Sequence, residues 1–266
     1  MKKKIAVWAA LTAVTLLMTG CTTETPAAPV AAPAPATPSK PAAAAPEPAP
    51  APEAARAAAY RKWGIEPLAG PVPVISDVPT TEKVVFLTID DGAEKDPAFV
   101  RMMDELDVPF TMFLTDSVIS GDYGYFEPLV AQGHGVANHT LTHPNLRTLS
   151  PEAQRREICG QQERLRERYG TAPRLFRPPF GNWNEATRAA AGTCGVDAIV
   201  LWRESMQIKN MQYQRGDRKL HPGDIVLAHF RGPGELKGRT MTEMTATMLR
   251  KIQEQGFTVA RLEDYV

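Results

Sequence analysis

The chain has no excess of either charge: 30 lysines and arginines face 30 aspartates and glutamates over 266 residues. It therefore lacks the basic footprint by which nucleic-acid-binding proteins hold phosphate. No apolar run is long enough for a comfortable membrane span, because the one candidate, Ile5 to Leu17, falls short of a hydrocarbon core about 30 Å thick. Cysteine is down to three, Cys21, Cys159 and Cys194. What remains is ordinary: 43% hydrophobic and 23% charged residues suit a soluble globular protein with one sizeable core and exclude disorder throughout.

The N-terminus is built differently from the rest. Lys2, Lys3 and Lys4 precede the apolar run, the charged and hydrophobic regions of an export signal. The run ends in "LLMTGC", which resembles a bacterial lipobox with Met18 where leucine is more usual. That resemblance implies a lipidated Cys21 as the mature N-terminus, after a signal peptide at 1–20. It places the protein on the outer face of the cytoplasmic membrane or the cell surface. Loss of the signal leaves 27 basic against 30 acidic residues. Cys159 and Cys194 are then the last thiols, and an oxidising compartment allows them to pair. Two buried free thiols are the alternative.

From Thr22 to Pro52 there are ten prolines in 31 residues and no apolar periodicity. Such a segment, assigned to 21–53, is an Ala/Pro-rich linker with a reach on the order of 90 Å if extended as polyproline II. A lead-in at 54–82 follows, with a short helix expected over Ala54 to Trp63. After Thr81, short apolar runs alternate with helical periodicity. Strands are expected at Val84 to Ile89, Phe110 to Leu114, Gly135 to Asn138, Leu175 to Phe176, Ala198 to Trp202, Ile225 to Ala228 and Phe257 to Ala260. Ser150, Pro151 and Glu152 mark the start of a long helix. Met241, Met244, Met248, Leu249 and Ile252 share one face of the last helix and read as core. This alternation predicts an α/β fold with a mainly parallel sheet, closed or nearly closed into a barrel. Functional groups in such folds collect at the carboxyl ends of the strands.

Asp90 and Asp91 stand at one such end, in "FLTIDDG". Adjacent carboxylates disfavour each other's charge unless a cation, an arginine or water relieves them. A solvated Asp-Gly turn is the plain explanation. "NHTLTH" offers another, because His139 and His143 follow a strand and could join Asp91 around one ion, leaving positions open for water and substrate. Pro144 argues against a continuing helix there and for one turn or a tight loop. "RPPFG" puts Arg177 on a rigid loop able to orient a carboxylate, and "IVLAHF" puts His229 just past a further strand. His229 alone reads as a buried core histidine, and His134 and His221 read as loop residues.

Taken together these segments resemble a polysaccharide deacetylase of the NodB-homology group, carbohydrate esterase family four, over residues 83–266. "TIDDG" resembles that family's T-F-D-D-G, "HTLTH" its H-[ST]-x-x-H, "RPPFG" its R-x-P-[FY]-G and "LAH" its L-x-H. The resemblance implies a distorted (β/α) barrel. It implies Asp90 as general base, His229 as general acid and Arg177 as the group that orients Asp90. Asp91, His139 and His143 become metal ligands, most naturally for Zn²⁺ and otherwise for Co²⁺, Ni²⁺ or Fe²⁺. Thr140 braces the metal loop, while Pro179, Phe180 and Trp202 line the sugar groove. The expected substrate is a cell-envelope polysaccharide, N-acetylglucosamine or N-acetylmuramic acid of peptidoglycan first, with chitin or xylan fragments as alternatives. A monomer tethered to the membrane is expected.

Two departures stand out. The aspartate that the fourth motif usually carries is missing from "LWRESMQIKN", where Glu204 and Ser205 lie near its place, so either Glu204 substitutes or the tuning of His229 is lost. Phe230 also replaces the more usual aspartate after the histidine. They leave open a noncatalytic carbohydrate-binding lipoprotein. An iron(II) oxygenase also uses two histidines and a carboxylate, but it has no evident use for Asp90 or His229.

Overall fold

The computed structural model describes residues 71–266. The expected signal, Cys21, the linker and the Ala54–Trp63 helix lie outside the described residues. Ten strands form one sheet: β1 (Val74–Ile75), β2 (Val84–Asp91), β3 (Thr111–Leu114), β4 (Gly135–Asn138), β5 (Leu175–Phe176), β6 (Ala198–Val200), β7 (Glu204–Met206), β8 (Met211–Tyr213), β9 (Ile225–His229) and β10 (Thr258–Ala260). All pairings but β7 with β8 are parallel.

Closure comes from a single stretch of chain. Residues 198–206 pair as β6 with β5 at one end and as β7 with β9 at the other. Since β9 also pairs with β2, the sheet returns on itself through β3, β4 and β5, as a distorted (β/α) barrel requires. All seven expected strands are present. β1 and the β7–β8 hairpin, with strands of two or three residues each, have no counterpart among the expected strands. Strands that short carry too little alternation to be read as a period.

Alternation along β2 explains where its side chains go. Val85, Leu87 and Ile89 pack outward into the main core with Phe99 and Met103 of α1 (Pro97–Leu106). Phe86 packs inward with Phe113, Ala137, Leu175, Ala198, Val200 and Ile225, one or two each from β3, β4, β5, β6 and β9. Thr88 and Asp90 share the parity of Phe86, so the strand delivers Asp90 to the barrel interior.

Short helices α2 (Asp116–Ile119) and α3 (Glu127–Ala131) follow β3. The long helix α4 (Pro151–Tyr169) begins as expected, with Ser150 as N-cap and Pro151 at the first position. Helix α5 (Glu185–Thr193) packs beside it, and Cys159 of α4 is joined to Cys194 just past α5 by a disulfide. The open question of paired or free thiols is thus resolved in favour of pairing. In α6 (Met241–Glu254), Met241, Met244, Met248 and Ile252 are buried in the main core, and Leu249 is partly buried against it.

Candidate active site

The end of β2 sets the centre. The chain turns there because Asp91 adopts φ 74° and Gly92 φ 89°. A Cβ on Gly92 would stand 2.5 Å from Ile119, so only glycine lets the turn lie this close to α2. Four non-glycine residues around the centre have left-handed backbones: Asp91, Thr140, His143 and Phe180. Such conformations cost on the order of 1–3 kcal/mol each and persist where the surroundings over-determine them.

Those surroundings are visible around the histidine loop. Asn138 Oδ1 accepts from the Thr140 amide at 2.8 Å, and Thr140 Oγ1 accepts from the His143 amide at 3.1 Å. Glu157 of α4 accepts from both the amide and the hydroxyl of Thr142 at 2.9 and 2.8 Å. The Thr115 hydroxyl donates to the His139 carbonyl at 2.9 Å. The segment is an irregular loop, not a helical turn, and His143 reaches its position through φ 59°.

Held this way, the three expected ligands converge. Asp91 Oδ1 lies 3.5 Å from His139 Nε2 and 3.4 Å from His143 Nε2, and one donor atom from each residue lies within 4.8 Å of the others. These separations are long for hydrogen bonds. They match the edge of a tetrahedron with arms of about 2.05 Å, roughly 3.4 Å, the size of a zinc site. Asp91 Oδ1 is buried with no hydrogen-bond partner among the described residues. Burial raises the Asp91 pKa and the Asp90 charge raises it further, against the two histidines and Arg231. A cation would relieve both the unpartnered oxygen and the disfavoured charge. His139 is ready as a ligand, since burial, opposed chiefly by Asp91, pushes it down to about 4 and leaves it neutral. Its Nδ1 lies 2.7 Å from the Arg177 carbonyl, which as acceptor fixes the proton on Nδ1 and turns Nε2 toward Asp91. The donor set therefore fits a divalent metal.

Arg177 is fully buried, and every polar contact it makes is internal. It donates to Asp90 Oδ1 at 2.6 Å, Thr88 Oγ1 at 2.9 Å, and the carbonyls of Val200 and Leu201 at 3.0 and 3.1 Å. Its guanidinium lies 4.1 Å from the ring centre of Phe113 and 5.7 Å from that of Trp202. Asp90 Oδ2 faces the other way, 3.7 Å from His139 Nε2. His229 is the register partner of Asp90 across the β2–β9 ladder. Burial pushes His229 down to about 4, with Arg231 acting in the same direction and Asp90 against it.

Of the expected groove residues, Phe180 is 63% exposed and sits edge-on to His143 at 4.8 Å, while Trp202 is half-buried. A Cβ on Gly181 would meet the Trp202 ring at 3.1 Å, so the loop and this ring pack closely. Pro179 is buried, and of the pair only Phe180 presents a surface. Glu204 does not stand in for the missing aspartate. It pairs in register with Val226, three residues before His229 and so about 10 Å along the strand. There it joins Asp224 and Arg215 at the far end of β9. Phe230 turns into the core edge-on to Phe99 and Phe126. His221 is a loop residue beside Asp217, and His134 is a loop residue too, but it is buried against Phe110. Sequence reasoning missed Thr88, Thr115, Asn138, Glu157 and Arg231, whose single polar side chains follow no spacing rule.

A parallel barrel whose mouth carries an Asp-His-His cluster able to hold a metal, beside a carboxylate clamped by a buried arginine, has the parts of a hydrolytic site. Residues 77–199 match the family described as polysaccharide deacetylase. The chain is 46% identical over 195 residues to an uncharacterised protein of Streptomyces coelicolor, covering 73% of this chain and 77% of that one. It is 30% identical to a chitooligosaccharide deacetylase of Bradyrhizobium, over 66% of this chain and 87% of the relative. A peptidoglycan-N-acetylmuramic acid deacetylase of Bacillus subtilis is 25% identical, over 70% and 72%. Among solved structures, a carbohydrate esterase family four pseudoenzyme from Bacillus anthracis superposes with a TM-score of 0.61 at 26% identity, over 73% of this chain and 69% of that one. The chain belongs to the polysaccharide deacetylase family and is a hydrolase of carbon–nitrogen bonds other than peptide bonds.

Proposed function

We propose that this protein removes acetyl groups from the N-acetylated sugars of peptidoglycan, N-acetylglucosamine or N-acetylmuramic acid, in a metal-dependent reaction. The observation that carries the reading is the pairing of the Asp91–His139–His143 cluster with an Asp90 whose one oxygen is held by Arg177 and whose other faces the cluster. A Zn²⁺ ion held by those three side chains would supply the positive charge that polarises an acyl carbonyl and acidifies water. Cobalt, nickel or iron(II) suits the same donors.

The remaining steps fall to the chain itself. Asp90 accepts the proton of the attacking water at Oδ2, because Oδ1 is occupied by Arg177. Arg177 pairs with the Asp90 carboxylate in the barrel interior and fixes its rotamer. His229 protonates the departing amine. It is neutral at rest, so it acquires its proton during turnover, and Asp90 is the source that the register offers. Phe180 and Trp202 present the apolar wall against which a sugar ring packs.

The same reading places the enzyme outside the cell, lipid-anchored through Cys21, with a signal at 1–20, a linker at 21–53, a lead-in at 54–82 and the catalytic domain from 83, acting as a monomer. The Cys159–Cys194 disulfide supports an oxidising compartment. Acetate release from peptidoglycan and chitooligosaccharides, with and without chelator, tests the activity. No acetate from either would leave a carbohydrate-binding protein, as the pseudoenzyme among its structural neighbours illustrates. Labelling with a radioactive fatty acid that is lost in Cys21→Ser tests the anchor.

A further inference from the structure

A second polar cleft opens on the same end of the barrel. β7 runs parallel to β9, so the turn at residues 207–210 lies at the carboxyl edge that carries His229. Residues 230–240 leave that edge for Thr240, the N-cap of α6. Between the two segments lies a cavity of about 680 Å³ lined by Gln207, Lys209, Asn210, Lys237, Arg239 and Glu243, among others. In the order β2, β9, β7 the strand whose turn lines the cleft stands two strand spacings from the strand that carries Asp91, about 10 Å. A substituent on the reacting sugar or on its neighbour can span that gap.

Its charge is one-sided. Lys209 and Lys237 are exposed, and among the described residues neither ammonium has an acidic partner. Arg239 spends one guanidinium nitrogen on the Glu243 carbonyl at 3.3 Å and the Thr247 hydroxyl at 3.0 Å. Its Nε is buried without an acceptor among the described residues. The one acid, Glu243, has Oε2 committed to the Thr240 amide in the capping box of α6. The cleft therefore sets three cations against a single carboxylate, one of whose oxygens is already committed.

We propose that this cleft is a subsite for a carboxylate carried by the glycan beside the sugar being deacetylated. It rests on the deacetylase reading above and narrows the substrate class to acidic glycans. A neutral chitin-type chain has nothing to place there. Peptidoglycan has two sources of the same chemistry: the lactyl carboxylate of peptide-free muramic acid, and the carboxylates of the stem peptide.

The test uses the full chain and the double variant Lys209→Gln/Lys237→Gln, whose exposed positions spare the fold. Acetate release is followed on three substrates: chitooligosaccharide, peptide-free peptidoglycan strands and strands with stems intact. On the acidic substrate the variant should lose about tenfold in kcat/KM, through KM, and high salt should erase the difference. The chitooligosaccharide rate should not change. Loss on peptide-free strands assigns the lactyl carboxylate, and loss confined to stem-bearing strands assigns the peptide. Equal rates in wild type and variant, or equal loss on the neutral substrate, overturn the subsite. Equilibrium titration of chelated protein with the acidic strands separates this outcome from failure of the deacetylase reading. If no substrate yields acetate, weaker binding by the variant still supports the subsite, and unchanged binding still overturns it.

Discussion

Asp90 sits in the barrel interior against Arg177, which donates to it a 2.6 Å hydrogen bond. Removing one partner of a buried ion pair strands the other, at a cost of about 3–5 kcal/mol. Arg177→Ala should therefore lower the denaturant midpoint by that equivalent and abolish turnover, whereas Asp90→Asn keeps a hydrogen-bond partner for the guanidinium and should lose mainly activity. With general base and acid each worth about 10² to 10⁴ in rate, Asp90→Asn and His229→Ala should fall by that factor while binding metal as wild type does. Acetate assays beside metal analysis check both, and wild-type turnover in either variant would remove its assigned role. These residues were legible beforehand because their chemistry is rare at the end of a short strand: two acids after VVFLTI, two histidines after GVAN and an arginine after LF. The residues that brace them were not, since Asn138 or Glu157 looks like any surface polar residue until the fold brings it to the histidine loop.

At the scale of elements, α4 is the support of that loop. Glu157 bonds Thr142, the Ile158 carbonyl accepts from Asn138, and Gln161 donates to the Leu114 carbonyl at 2.7 Å. The disulfide ties this stretch of α4 to the end of α5 across a separation of 35 residues. Loop-closure entropy for such a separation gives about 3–4 kcal/mol. The variant Cys159→Ala/Cys194→Ala should lose that much in chemical denaturation. Because the bridge sits between Ile158 and Gly160, weaker metal retention should accompany the loss; unchanged metal affinity would show that the loop is held by hydrogen bonds alone. The start and N-cap of α4 were readable from Ser150 and Pro151, and the buried face of α6 from its spaced methionines, for capping and periodicity are local properties. The pairing of the two cysteines was not, since it depends on how two helices pack.

For the molecule as a whole, the far end of the barrel has its own electrostatics. Glu204 is fully buried, and desolvation first, then Asp224, pushes its pKa up to about 8 against the pull of Arg215 and Arg203. The folded state then holds a proton there that the unfolded chain releases near pH 4.5. Its contribution is therefore present at low pH and fades as pH rises from about 4.5 through 8. Glu204→Gln should flatten that part of the stability curve, read from thermal midpoints between pH 5 and 9; an unaltered slope would mean that Glu204 is ionised in the fold.

What the linear order of residues determined by itself was everything carried by short-range pattern. That includes the alternation of strands and helices, the cap that opens α4 and the four motifs at strand ends. Tertiary structure alone decided the rest: that residues 198–206 close the barrel by pairing on both sides, that Glu204 lies too far along β9 to tune His229, and that two cysteines meet. Each of these depends on a distance between segments far apart in the chain, and such distances are set by how sheet and helices pack, a property that no local run of residues contains.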